Sequence, residues 1–152
     1  MKSTNFLLIL AGVLSFCAAT FQAAIGFVPE WSAAFGAGDA LVSNPPLLLT
    51  LALLVALVLV IFGLYGLSGA GLIRRLPLLR PGLLAIGLLY SLVGINFIFQ
   101  IPVILGIVPS AGPIPIHIVL VSFGALVACL AYLIGLAVSW KRLSTKPARA
   151  VS

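Results

Sequence analysis

Four apolar stretches, each long enough to cross a lipid bilayer, constrain the fold of this chain more than any other feature of its sequence. They cover residues 5–27, 47–67, 83–107 and 116–140. The hydrocarbon core of a membrane is about 30 Å thick, and a helix of roughly 20 apolar residues spans it. Backbone amides in lipid must pair internally, and no strand-like alternation is present, so each stretch is predicted to be a helix. The sequence therefore predicts an all-α fold: an integral membrane four-helix antiparallel bundle that forms a single transmembrane domain over residues 1–152.

The composition excludes the soluble classes of protein. Of the 152 residues, 63% are hydrophobic and only 7% are charged, whereas a soluble domain carries roughly 25% charged residues. A soluble enzyme and a disordered chain are therefore excluded. The net charge of +6 comes from scattered lysines and arginines. Because they form no basic stripe, no nucleic-acid partner is expected.

The charged residues predict an orientation. The basic residues precede the first stretch, separate the second from the third, or follow the fourth: Lys2, Arg74, Arg75, Arg80, Lys141, Arg142, Lys146 and Arg149. The two acids, Glu30 and Asp39, follow the first stretch. Basic residues in short loops remain cytoplasmic. We therefore expect both termini in the cytoplasm, an outer loop at 28–46, a cytoplasmic loop at 68–82 and a cytoplasmic tail at 141–152. No organelle signal is visible, so the membrane is predicted to be a bacterial inner membrane.

The first stretch has some features of a secretory signal peptide. Lys2 followed by the apolar run 6–16 has the pattern of such a signal. The segment 22–24 is a poor match to a cleavage site, however, so the stretch is expected to remain as a membrane helix.

Small residues recur on each stretch and predict the faces by which the helices pack. Helices in lipid associate through close contact at such residues, because lipid tails are as apolar as leucine. The small residues on the four stretches include Ala11, Ser15, Ala19, Gly63, Gly66, Gly69, Gly87, Gly94, Gly124, Ala128, Ala131 and Gly135.

Polar residues near the outer ends of the stretches are candidates for a ligand site: Gln22, Glu30, Asn96, Gln100 and His117. One hypothesis is an outward-facing polar pocket, capped by the first loop, that holds a small ligand or a lipid headgroup. The alternative is that the amides only hydrogen-bond between helices, at about 0.6 kcal/mol each. No ionisable residue lies at the centre of a stretch, which disfavours a coupled transporter.

The first outer loop contains a predicted short amphipathic helix. Trp31 and Phe35 are four residues apart, Pro29 suits a first turn, and Gly36 suits an end. This helix could serve as a lid over a pocket or as a plain interfacial linker.

Some remaining residues have structural or lipid-binding interpretations. The basic residues Arg74, Arg75, Arg80, Lys141 and Arg142 could attract anionic lipid headgroups or only set the topology. Cys17 and Cys129 lack a C-x-x-C spacing and are expected to be packing residues. Tyr65, Tyr90 and Tyr132 are expected in the core or at the membrane interface.

Catalysis has little support in the sequence. The chain contains one histidine, one glutamate and one aspartate, too few for a zinc site with three or four ligands. We therefore predict no catalytic residues, no metal, no cofactor and no enzyme activity.

Two neighbouring segments resemble a known family of membrane proteins: the glycine-rich segment 62–71 and the segment 74–80, which begins and ends with arginine. With the stretch from Trp31 through residues 44–46 to Leu89, they resemble the small four-helix inner-membrane proteins common in proteobacteria. That family has no established activity, so the resemblance implies a fold and a location only. DoxX-like and sterol-isomerase-like membrane proteins are weaker comparisons, and the membrane acids of the latter are missing here.

Two functions are favoured for this sequence over a third, a membrane enzyme. The first is a non-enzymatic accessory or structural protein that packs with a second copy of itself, another membrane protein or membrane lipid. The alternative is a binder or permease for a small apolar or lipid-like molecule, acting through the outer polar cluster.

Overall fold

The computed structural model describes residues 5–109 and 114–144, and all six elements in that part of the chain are helices. They are α1 (Phe6–Gly26), α2 (Pro29–Ala34), α3 (Asp39–Val42), α4 (Pro45–Ala70), α5 (Leu79–Ile104) and α6 (Ile116–Ser144). The four long helices α1, α4, α5 and α6 are long and apolar enough to cross a membrane. The predicted all-α, four-helix architecture is confirmed.

The second long helix is longer than predicted at both ends. Pro45 and Pro46 occupy the first turn of α4 rather than preceding it, because a proline there gives up an N–H that would have no acceptor. The Asn44 side chain caps this turn by accepting from the backbone N–H of Leu47 at 3.4 Å. The helix ends at Ala70, and the following Gly71 caps it with a left-handed φ of 84°, which suits a residue without a Cβ.

The other long helices also differ from their predicted bounds. α5 begins at Leu79 instead of residue 83, since Pro81 is tolerated in a first turn. It ends at Ile104, three residues before the predicted 107. α6 continues past Trp140 to Ser144, so residues 141–144 of the predicted tail are helical.

The long helices pack as two pairs, α1 with α4 and α5 with α6, and the pairs contact each other mainly through α1–α6 and α4–α5. We call the end of the bundle that carries Arg74, Arg75, Arg80 and Lys141 the basic end. The opposite end carries Glu30 and Asp39 and is called the acidic end.

Glycine allows the backbones within each pair to approach closely. A Cβ on Gly66 of α4 would lie 2.8 Å from the Cα of Gly12 and 2.9 Å from the carbonyl oxygen of Leu8, both in α1. A Cβ on Gly94 of α5 would lie 2.8 Å from the Cα of Leu126 in α6. The predicted packing through small residues is confirmed at these crossings.

The two pairs meet in the basic half of the bundle through a hydroxyl network. Ser15 and Tyr132 have no exposed surface. The Ser15 hydroxyl lies 2.9 Å from the Tyr132 hydroxyl, accepts from the Tyr90 hydroxyl at 2.9 Å and contacts the Ala11 carbonyl at 3.0 Å. The Tyr132 hydroxyl donates to the Phe62 carbonyl at 2.7 Å. All four long helices therefore share one network.

Further contacts close the basic half. The amide of Asn5 donates to the Gly135 carbonyl and the Ser139 hydroxyl, both at 2.7 Å, and so ties the start of α1 to α6. On the other side, the ring of Tyr65 covers Gly82, and its hydroxyl donates to the Pro77 carbonyl at 3.2 Å. The pairs are thus joined near the basic end on both sides.

Candidate functional site: an apolar cavity under a short lid

A cavity of about 680 Å³ lies between the two helix pairs in the acidic half of the bundle. Its walls come from one face of each long helix, and its roof comes from the segment containing α2 and α3. On α4 its lining extends from Leu48 to Leu59, eleven residues or about 16 Å at the rise of an α-helix. Tyr90 of α5, part of the hydroxyl network, lies at its floor.

The lining is almost entirely apolar. Its hydrogen-bonding side chains are Gln22, Ser32 and Tyr90, together with the thiol of Cys17. Among the residues that line the cavity in the described part of the chain, none is an aspartate, glutamate, lysine, arginine or histidine. Such a surface favours an apolar occupant, because apolar groups gain free energy when they leave water.

Gly124 of α6 shapes the cavity. A Cβ on this residue would meet nothing within 4 Å, unlike one on Gly66 or Gly94. The residue therefore widens the cavity instead of bringing two helices together. It was predicted as a packing residue, and the structure corrects that interpretation because the two pairs are separated at its level.

Residues 28–44 form a lid over the cavity, held to α1 by Ser32. The buried Ser32 hydroxyl donates to the Ile25 carbonyl at 2.7 Å. The ring of Phe35 packs edge-on against Phe21 of α1, with centroids 5.0 Å apart. The predicted short helix is present as α2, with Pro29 in its first turn, and a second short helix, α3, was not predicted.

His117 holds the same lid from α6. Its ring lies 4.7 Å from the ring of Phe35, and its Nε2 is 2.9 Å from the Ala34 carbonyl oxygen. Since a carbonyl oxygen only accepts, Nε2 donates and carries the proton in this contact. His117 therefore fixes the lid and does not line the cavity.

Of the five residues predicted to bind a ligand, Gln22 is the one that lines the cavity. Glu30 is exposed in the first turn of α2. Asn96 is exposed on the outer surface of α5, where its amide donates to the carbonyls of its own helix at Leu92 (3.4 Å) and Val93 (3.2 Å). The predicted polar pocket is therefore not assembled as one cluster, because Asn96 points away from the bundle.

Gln100 joins α5 to α6. Its Nε2 donates to the hydroxyl of the buried Ser122 at 3.3 Å. Its Oε1 is buried and has no partner among the described residues. Gln100 does not line the cavity. Its amide instead hydrogen-bonds between two helices, which was the alternative to a ligand pocket.

The basic residues proposed to attract headgroups have different surroundings. The Arg80 guanidinium lies over the Trp140 ring, with Cζ 4.5 Å from the centroid, and donates to the Trp140 carbonyl. Arg80 is thus engaged in the α5–α6 contact. The side chains of Arg74, Arg75 and Lys141 are exposed at the basic end, whereas the side chain of Arg142 lies outside the described residues.

The cavity itself was missed from the sequence. Most of its lining residues are leucine, valine and alanine, which are also frequent on the other faces of the helices. The one sequence feature that indicated a site at this position was Gln22, the only amide side chain within α1. The role of Tyr90 in the hydroxyl network at the cavity floor was not foreseen, because nothing in the sequence pairs it with Ser15.

Comparison with protein-family models, with curated proteins and with solved structures finds no match to this chain. The resemblance carried by the glycine-rich segment therefore stays a prediction. The fold and the cavity define a helical bundle with four helices of membrane-spanning length and an apolar cavity in one half.

Proposed function

We propose that this protein is a membrane protein that binds an apolar, lipid-like molecule in the cavity beneath its lid. The observation that carries the proposal is the cavity's size together with its lining. Ligand sites in proteins have volumes of roughly 300–1,000 Å³ and apolar walls with a few polar groups. A cavity of about 680 Å³ with one amide and two hydroxyls fits that description.

The ligand would enter sideways from the membrane, between α4 and α5. Five large apolar residues that line the cavity are also substantially exposed, and three of the five lie on α4 and α5: Leu51 (41%), Val55 (47%) and Val93 (44%), with Val121 (42%) on α6 and Phe21 (40%) on α1. Contacts between these two helices near Tyr65 and Gly82 belong to the basic half. The roof of the cavity is closed, because the lid is bonded to α1 through Ser32 and to α6 through His117. A lateral entrance suits a molecule that is dissolved in lipid.

The location in a bacterial inner membrane, with both termini in the cytoplasm, is part of the proposal. It is supported by the separation of charge along the bundle axis. The exposed side chains of Arg74, Arg75 and Lys141 share one end, and Glu30 and Asp39 share the other. Basic loops remain on the cytoplasmic side during insertion.

The experiment fills the cavity without disturbing the packing of the helices. Gly124→Phe would project a ring into the cavity, because its Cβ direction is open for 4 Å. Leu120→Phe is the matched control, since Leu120 is on the same helix and is 61% exposed on the outer surface. Both variants and the wild type would be reconstituted in lipid nanodiscs and irradiated with a hexadecane that carries a diazirine.

We expect the wild type and Leu120→Phe to be photolabelled on cavity residues such as Leu59 and the buried Ala128, mapped by peptide mass spectrometry. Gly124→Phe should lose that labelling and keep labelling on the outer surface. Equal labelling of cavity residues in Gly124→Phe and the wild type, or its absence from the wild type, would contradict the proposal. The accessory or structural function would then be favoured, because it requires no cavity.

A further inference from the structure

We infer that the ligand of this cavity is a single-chain lipid with an uncharged, hydrogen-bonding end group, which is held by Gln22 while the chain extends towards Tyr90. This inference rests on the proposed function and adds the chemical class of the ligand. It follows from the charges, the hydrogen bonds and the depth of the cavity.

The lining excludes a charged end group. An isolated charge is strongly disfavoured in an apolar site unless an opposite charge pairs with it. The residues that line the described cavity include no such partner. Glu30 and Asp39 are exposed on the lid, and His117 is engaged with Ala34. A phosphate, a carboxylate or an ammonium would therefore stay unpaired inside.

Gln22 can recognise a neutral end group. The hydroxyl protons of the other polar lining residues are used within the protein, that of Ser32 by Ile25 and that of Tyr90 by Ser15. The half-buried Gln22 amide has no hydrogen-bond partner among the described residues. An amide offers both donors and an acceptor, so it can pair with a hydroxyl or a carbonyl group.

The position of Gln22 sets the direction of the ligand. Gln22 lies four residues before the end of α1, or about 6 Å inside the acidic end. The cavity is about 16 Å deep on α4, which is about half of a membrane core of roughly 30 Å. An end group at Gln22 therefore leaves room for one chain that extends from the acidic end towards the midplane of the membrane. A lipid tail in that leaflet extends in the same direction.

The test uses photoreactive probes of one chain length that differ only in the end group. They are a hexadecane, a hexadecanol, a hexadecyl phosphate and a hexadecyl trimethylammonium, each with a diazirine about ten carbons from the end group, because the lining on α1 extends from Gln22 to Leu14, eight residues or about 12 Å. For the wild type in nanodiscs, we expect hexadecanol to label the floor residues near Leu59 and Tyr90. Its half-saturating concentration should be about three to twenty times lower than that of hexadecane, the range given by one hydrogen bond in a membrane protein. The charged probes should label these residues more weakly than hexadecane.

Gln22→Leu should remove the preference for the alcohol and keep labelling by hexadecane. Asn96→Leu is the matched control, because it removes an amide from the outer surface of α5 and should leave the preference unchanged. The inference is overturned if a charged probe labels the floor as well as the alcohol does, or if Gln22→Leu keeps the preference. Failure of the proposed function looks different, since no probe would then label the cavity of the wild type.

Discussion

Four contacts in the hydroxyl network share three hydroxyl protons. Tyr90 donates to Ser15 and Tyr132 donates to the Phe62 carbonyl, which leaves the Ser15 proton for either the Ala11 carbonyl or the Tyr132 hydroxyl. The network therefore has one contact more than it has donors. Tyr132 connects Ser15 to the Phe62 carbonyl, and its ring is fully buried and stacked on Tyr90 with centroids 5.8 Å apart.

Tyr132→Phe should lower the free energy of unfolding by about 0.6–1.7 kcal/mol, the range of hydrogen bonds between membrane helices. The ring is kept, so the loss comes from the bond to Phe62 and the contact with Ser15. Unfolding by sodium dodecyl sulfate in mixed micelles, followed by circular dichroism, measures it. Tyr65→Phe is the control and should lose less, since its hydroxyl donates to Pro77 at the surface. An unchanged stability of Tyr132→Phe would show that the network contributes no stability.

At the scale of the elements, each helix pair depends on one close crossing of backbones. An added methyl group at Gly66 or Gly94 would fall under 3.0 Å from backbone atoms of the neighbouring helix. Backbone cannot move aside as a side-chain end can, so the pair must separate. Gly124 also lies inside a long helix, but a methyl group added there would meet no atom within 4 Å.

We expect Gly66→Ala and Gly94→Ala each to destabilise the bundle by about 1–3 kcal/mol, the usual effect of overpacking. Gly124→Ala should be neutral or stabilise it by up to about 1 kcal/mol, because alanine is the better helix former. The same unfolding assay compares the three variants. A destabilised Gly124→Ala, or neutral Gly66→Ala and Gly94→Ala, would contradict this account of the packing.

The lid depends on Phe35 because its ring contacts both Phe21 and His117. Phe35→Ala should increase amide hydrogen exchange in residues 28–44 and leave exchange in the centres of the long helices unchanged. Hydrogen–deuterium exchange with mass spectrometry measures both. Trp31→Ala is the control, since Trp31 is 54% exposed and should leave the lid protected. Equal exchange in the two variants would mean that the aromatic contacts do not hold the lid.

At the scale of the whole molecule, the separation of charge makes the orientation testable. A variant without native thiols (Cys17→Ala and Cys129→Ala) would carry either Asp39→Cys or Arg75→Cys. In intact bacterial cells, we expect a membrane-impermeant maleimide to label Asp39→Cys at once and Arg75→Cys only after permeabilisation. Cys17→Ala and Cys129→Ala without an added thiol gives the background. The reverse labelling pattern would overturn the proposed orientation.

The fold was predictable to a greater extent than the site. Long apolar stretches without strand-like alternation form helices in lipid, so the four long helices were predicted from composition, and the short helix α2 was predicted from residue spacing. Their bounds were less certain, because proline is accepted in a first turn, as at Pro45 and Pro81. Among the candidate ligand residues, the direction in which each side chain points depends on how its helix is rotated in the bundle.

The amino-acid sequence by itself determined the number of long helices, their apolar character and the separation of basic from acidic residues, because these follow from composition along a single chain. Only the tertiary structure decided that the helix pairs meet in one half and separate in the other, which turns Gly124 and Gln22 towards a cavity and Asn96 towards the outside. The physical reason is that apolar helix faces are chemically alike in sequence. Which of them pack together depends on backbone approach at particular glycines and on one shared hydroxyl network.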